Sequence, residues 1–173
     1  MQKQSYFMLG VELYMEDFSP LKIYEEIGLR PNECKCAEKE ALRLSYKDWK
    51  QSLSKYEQMP KSSPKSTNKI ESKINQSEDI KIEETKAIKG FYKIHSKIFK
   101  PQSFRKECDR FIARLEKKKN ILLSIKQKHN AFVVLRIYAF VNKKDIVGLN
   151  LSLSVSRFCA SLGARILTQI KVL

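Results

Sequence analysis

Four cations recur at the spacing of one helical face: Lys106, Arg110, Arg114 and Lys117 stand four, four and three residues apart, followed by Lys118 and Lys119. On an α-helix those steps bring side chains to one side. Such a stripe can neutralise phosphates of a nucleic acid or meet carboxylates of an acidic protein. Lys106, Arg110, Arg114, Lys117 and Lys118 are therefore the candidate partner-binding residues. The chain has 173 residues and a net charge of +15, unevenly distributed: residues 1–90 hold 16 basic and 15 acidic side chains, residues 91–173 hold 18 and 4. The excess belongs to the second half, around the stripe.

Catalytic patterns are missing. There is no phosphate loop, dinucleotide fingerprint, His-Glu-x-x-His or Gly-x-Ser-x-Gly. The carboxylate pairs Glu16-Asp17, Glu25-Glu26 and Glu83-Glu84 are sequence neighbours, which point in different directions and build no acid–base pair by spacing. Asp17 is placed to favour a helix N-terminus instead. His95 falls in a strand pattern opposite Ile94, facing solvent, and His129 falls at a helix end, where an imidazolium meets the dipole. Cys34, Cys36, Cys108 and His95 could be gathered into a zinc site, but a structural finger presents two spaced pairs, so no metal is expected. No catalytic residue and no cofactor is implied. Lys89-Gly90-Phe91-Tyr92 begins like the stacking motif of RNA-recognition domains, then departs from it at Lys93, His95 and Ser96.

The elements that must carry these residues follow from periodicity and punctuation. Ser5 to Tyr14 reads as a strand. Ser19-Pro20 opens a helix whose stripe is Leu21, Tyr24 and Ile27, and Gly28 closes it. Leu42, Tyr46, Trp49, Leu53 and Tyr56 share a helical face; they read first as core and second as exposed aromatic anchors for a partner. Residues 60–85 are rich in Lys, Ser, Asn, Glu and Pro, too polar to offset their ordering entropy, and are expected to form a flexible insertion.

Phe91 to Phe99 reads as a strand with Tyr92, Ile94 and Ile98 on one face. Pro101 to Ser103 opens a helix with a buried stripe of Phe104, Cys108, Phe111, Ile112 and Leu115, opposite the cations. A second helix runs from Ile121 to about His129, and Ala131 to Val141 is a strongly apolar strand. Ser152 caps a last helix carrying Val155, Phe158, Cys159 and Leu162; Gly163 ends it before a closing strand, 164–172. Strand, helix and terminal glycine thus occur at both ends of the chain. One α+β domain over 1–173 is expected: an antiparallel sheet with helices packed on one face, a ferredoxin-like sandwich of two strand–helix units. No run is long enough to span a bilayer, no secretory core is present, and the cysteines fit a reducing cytoplasm.

The chain also resembles a bacterial family known as domain of unknown function 4279. The matching residues are Asp17-Phe18-Ser19-Pro20, Ile27-Gly28-Leu29-Arg30-Pro31, Phe111-Ile112-Ala113-Arg114-Leu115, Leu151-Ser152 and Ser161-Leu162-Gly163-Ala164. They cover roughly residues 5–31 and 91–172, with the lysine-rich segment as an insertion between. The family brings no catalytic residues. Relatives of this size resemble immunity or accessory proteins encoded beside bacterial toxins. The resemblance thus implies a non-enzymatic protein that neutralises a cognate toxin with an acidic surface. Nucleic-acid binding by the same basic face is the alternative.

Overall fold

Alternation in Tyr6–Met15 (β1) makes one side apolar, and Phe7, Leu9, Val11, Leu13 and Met15 are all buried. In the computed structural model, which describes residues 4–16, 18–36, 42–43, 51, 54–55, 58, 90–145 and 147–173, β1 is the centre of a six-stranded sheet. Pro20–Ile27 (α1) follows, then Glu33–Lys35 (β2), Leu42–Arg43 (β3) and Gly90–His95 (β4). A short 3-10 turn at Pro101–Ser103 leads into Phe104–Glu116 (α2), Lys119–Lys128 (α3), Phe132–Val141 (β5), Leu153–Leu162 (α4) and Arg165–Val172 (β6).

The strands lie in the order β3-β2-β4-β1-β5-β6. β1 is antiparallel to both β4 and β5, and β2 is antiparallel to β4 and β3. The expected antiparallel sheet needs correction at one edge: β6 runs parallel to β5, Leu135 beside Ile166 and Val141 beside Val172. The reason is α4, which crosses between the two strands and returns the chain to the starting end. The sheet is therefore mixed.

The cap signals act as the residue types require. Ser19 accepts from the Lys22 amide at 3.2 Å, and Pro20 occupies the first helical position. Gly28 and Gly163 close α1 and α4 at φ +68° and +56°, a region open to glycine at little cost. Ser152 behaves differently from expectation. It precedes α4 without a side-chain capping bond, and its hydroxyl instead donates to Asp109 of α2, tying the two helices together.

α1, α2, α3 and α4 pack on the β1 face of Phe7 to Met15. Cys108, Phe111, Ile112 and Leu115 of α2, Leu122 and Ile125 of α3, and Val155, Phe158, Cys159 and Leu162 of α4 complete one core. Full burial of one such aliphatic side chain contributes about 2 kcal/mol. The expected strand from Phe91 to Phe99 stops at His95. The Ser96 amide bonds to the Leu9 carbonyl and Phe99 bridges Phe7, so three residue steps oppose two and the alternation slips by one. Ile98 is exposed as a result, while Tyr92 and Ile94 are buried. Leu42 belongs to β3, opposite Cys34, and not to the helix that its spacing predicted. Tyr46, Trp49 and Tyr56 and the 60–85 segment lie outside the described residues.

Candidate functional site

The cationic stripe forms where the spacing placed it. Burial of Phe104, Cys108, Phe111, Ile112 and Leu115 turns the opposite side of α2 outward, leaving Lys106, Arg110, Ala113 and Arg114 exposed, with Lys117 at the helix C-cap. Arg110 is paired to Glu107 at 2.6 Å, an exposed contact worth about 0.3 kcal/mol. Lys106, Arg114 and Lys117 have no carboxylate partner among the described residues. Lys118 stands apart from this group. It is half-buried, and its ammonium lies close to Gly28 at the C-terminal end of α1, where backbone carbonyls attract a cation. Four of the five sequence candidates share the face; the fifth lies against a helix end. Lys126 of α3 acts likewise on α4, donating to the Leu162 carbonyl at 2.6 Å.

A second group of charges was not anticipated. The even-numbered residues of β1 face away from the helices, and among them Glu12 is fully buried. Its Oε2 accepts from the Tyr14 hydroxyl at 2.6 Å and from Arg136 Nε at 2.9 Å, and its Oε1 accepts from the Tyr138 hydroxyl. Burial alone would push the Glu12 carboxyl up, but the tyrosine hydrogen bonds and the Arg136 charge outweigh it and hold it below the usual carboxylate range. Tyr14 is driven up to about 12 by burial and by Glu12. The signal for this cluster was present as alternation: Glu12 and Tyr14 on β1, Arg136 and Tyr138 on β5, each pair two residues apart. What sequence could not supply was the register that sets Gly10 opposite Arg136 and so brings Arg136 diagonal to Glu12.

Chemically the cluster is closed. A general base must reach a substrate proton with a pKa near the working pH, whereas Glu12 is fully buried, accepts from three donors and is held below the usual carboxylate range. Beside it, Lys93 pairs with Glu33 across strands at 3.4 Å. His95 lies on the face opposite Ile94, as its spacing placed it, but it is half-buried there. Its ring packs edge-on to Tyr138 over Gly10, its amide donates to Asn32 Oδ1 at 2.7 Å, and burial lowers its pKa. Its Nε2 is buried with no hydrogen-bond partner among the described residues.

The four thiols share the core on the helix side of the sheet, and His95 is separated from them. Cys34 sits beside Tyr92 on the helix side, while His95 lies on the other face, so the two cannot join one zinc ion. No group of three or more His, Cys, Asp or Glu among the described residues is arranged to hold a metal. Burial pushes Cys108 up to about 12 and Cys159 up to about 11, so both remain protonated at neutral pH and pack as small apolar groups. Among the described residues no helix is long and apolar enough to cross a membrane.

A family described as domain of unknown function (DUF4279) matches residues 58–173. The match starts after β3, so Phe18 to Pro31, which carry part of the resemblance, fall outside it, and the lysine-rich segment falls within it. No curated protein and no solved structure matches the chain.

Proposed function

We propose that this chain, which belongs to the DUF4279 family, is a non-enzymatic cytoplasmic interaction protein, an immunity protein that neutralises a cognate bacterial toxin. The basic face of α2 would cover an acidic surface of that toxin. One observation carries the reading: Lys106, Arg114 and Lys117 are exposed on one face without carboxylate partners among the described residues, beside an Arg110 held only by a weak surface pair. Unpaired cations on a rigid helix speed encounter with an acidic partner and select against basic ones. On the sheet, by contrast, Glu12 with Arg136 and Glu33 with Lys93 are already paired to each other.

The order β2-β4-β1-β5, with α1 following β1 and α2 and α3 following β4, supports a ferredoxin-like unit to which α4 and β6 are appended. Co-purification with the product of the neighbouring gene tests the function. Reversing two charges together, Arg110→Glu with Arg114→Glu, is expected to weaken that complex at least about tenfold, mainly through slower association. Unchanged affinity would place the interface elsewhere. Retention of RNA or DNA that falls linearly with the logarithm of salt, with no protein partner needed, would favour nucleic acid as the ligand.

A further inference from the structure

β6 is an edge strand of the sheet. It pairs with β5 on one side, and among the described residues nothing pairs on the other. Seven of its eight residues are exposed. Ile166, Ile170 and Val172 share the helix side with Leu135, Ala139 and Val141, yet remain 37%, 64% and 55% exposed because α4 does not reach over them. The 142–152 connection leaves the end of β5 beside Val172 and starts α4 there, so exposed Leu153 stands at the same end as Ile170 and Val172. An eight-residue edge strand without proline, bulge or inward charge is one that proteins ordinarily protect.

The alternate residues carry the second half of the argument. Arg165 and Lys171 lie on the opposite side of β6, and no Asp or Glu follows Asp145 in the sequence. We infer that β6 is a docking edge for an extended segment of a partner protein that alternates apolar with acidic residues. The segment adds as a seventh strand of about 26 Å, eight residues at the rise of a β-strand. Its apolar side chains cover Ile166, Ile170 and Val172, and its carboxylates meet Arg165 and Lys171. A second copy of this chain is the poorer occupant. Antiparallel pairing centred on Thr168 would set Arg165 against Lys171 twice, and a net charge of +15 opposes self-association.

The inference stands independently of the α2 face, and its test separates the two. The probe is an eight-residue peptide alternating valine and glutamate, compared by fluorescence anisotropy with its valine–lysine counterpart and with a backbone N-methylated glutamate peptide. The glutamate peptide is expected to bind at least about tenfold tighter than either control, and to slow amide exchange across residues 165–172. Arg165→Glu with Lys171→Glu should reverse the charge preference, with circular dichroism confirming the fold. Arg110→Glu with Arg114→Glu should leave peptide affinity within about twofold, because exposed charges on a separate element are screened by salt. Absence of saturable binding, equal binding of the N-methylated peptide, or no response to the β6 reversal would overturn the inference. So would a concentration-dependent dimer that protects residues 165–172 without peptide.

Discussion

On the second face of the sheet, Glu12 is held by Arg136 and two tyrosines, and Glu33 is held by Lys93. On the outer face of α2, Lys106, Arg114 and Lys117 have no such partner among the described residues, and Arg110 has a screened one. Both regions are built from the same side-chain types, and burial separates their roles. A carboxylate removed from water must be matched by donors, so its neighbours are committed to the fold. A cation left in water is stabilised by solvent alone and keeps its full valence for a partner. The difference teaches which charges of a +15 chain can do external work.

The strongest way to break this comparison is to remove Glu12. Glu12→Ala strips the partner from Arg136 and leaves two tyrosine hydroxyls unmatched, so a loss of about 3 kcal/mol is expected from denaturant unfolding. A loss below about 1 kcal/mol would mean the cluster is as dispensable as a surface pair. The charge reversal at Arg110 and Arg114 should do the opposite: partner affinity falls, while unfolding stability stays within about 0.5 kcal/mol of the parent. Coupled losses in both measurements would erase the distinction.

Acid should discriminate the two regions next. His95 has a lowered folded pKa, so the unfolded chain binds more protons as pH drops through the ordinary histidine value near 6.5. Stability is full above that value and falls on acidification below it; His95→Phe should remove this first phase. Glu12, also lowered, contributes stability above its unfolded value near 4.3 and loses it as pH falls toward the folded one. Denaturant midpoints measured from pH 8 to 3 should show both steps. The smallest effect is expected at Glu107→Gln. It should cost at most about 0.5 kcal/mol of stability while releasing Arg110, so stability falls slightly as affinity for an acidic partner rises. Two changes of the same sign would show that Arg110 does not contact the partner.

The helix ends and buried stripes were legible because local chemistry specifies them. Ser19, Pro20 and Gly28 bound α1, and Phe104 to Leu115 at helical spacing turned the cations of α2 outward without reference to the rest of the chain. Where a prediction failed, a distant residue intervened. Ser152 left its own helix for Asp109, and the strand after His95 slipped because Phe7 captured Phe99. Lys118, in the turn between α2 and α3, sits beside Gly28 of another element.

By itself the sequence determined the α+β class, the charge asymmetry and the exposed stripe, since period, caps and composition act over a few residues. Tertiary structure decided the parallel β6 edge and the closed Glu12 cluster. Both depend on strand register between residues more than a hundred positions apart in the cluster and on the crossover of α4 at the edge. Register is set by packing one face of a sheet against its helices, a global balance of buried area that no short window of sequence contains.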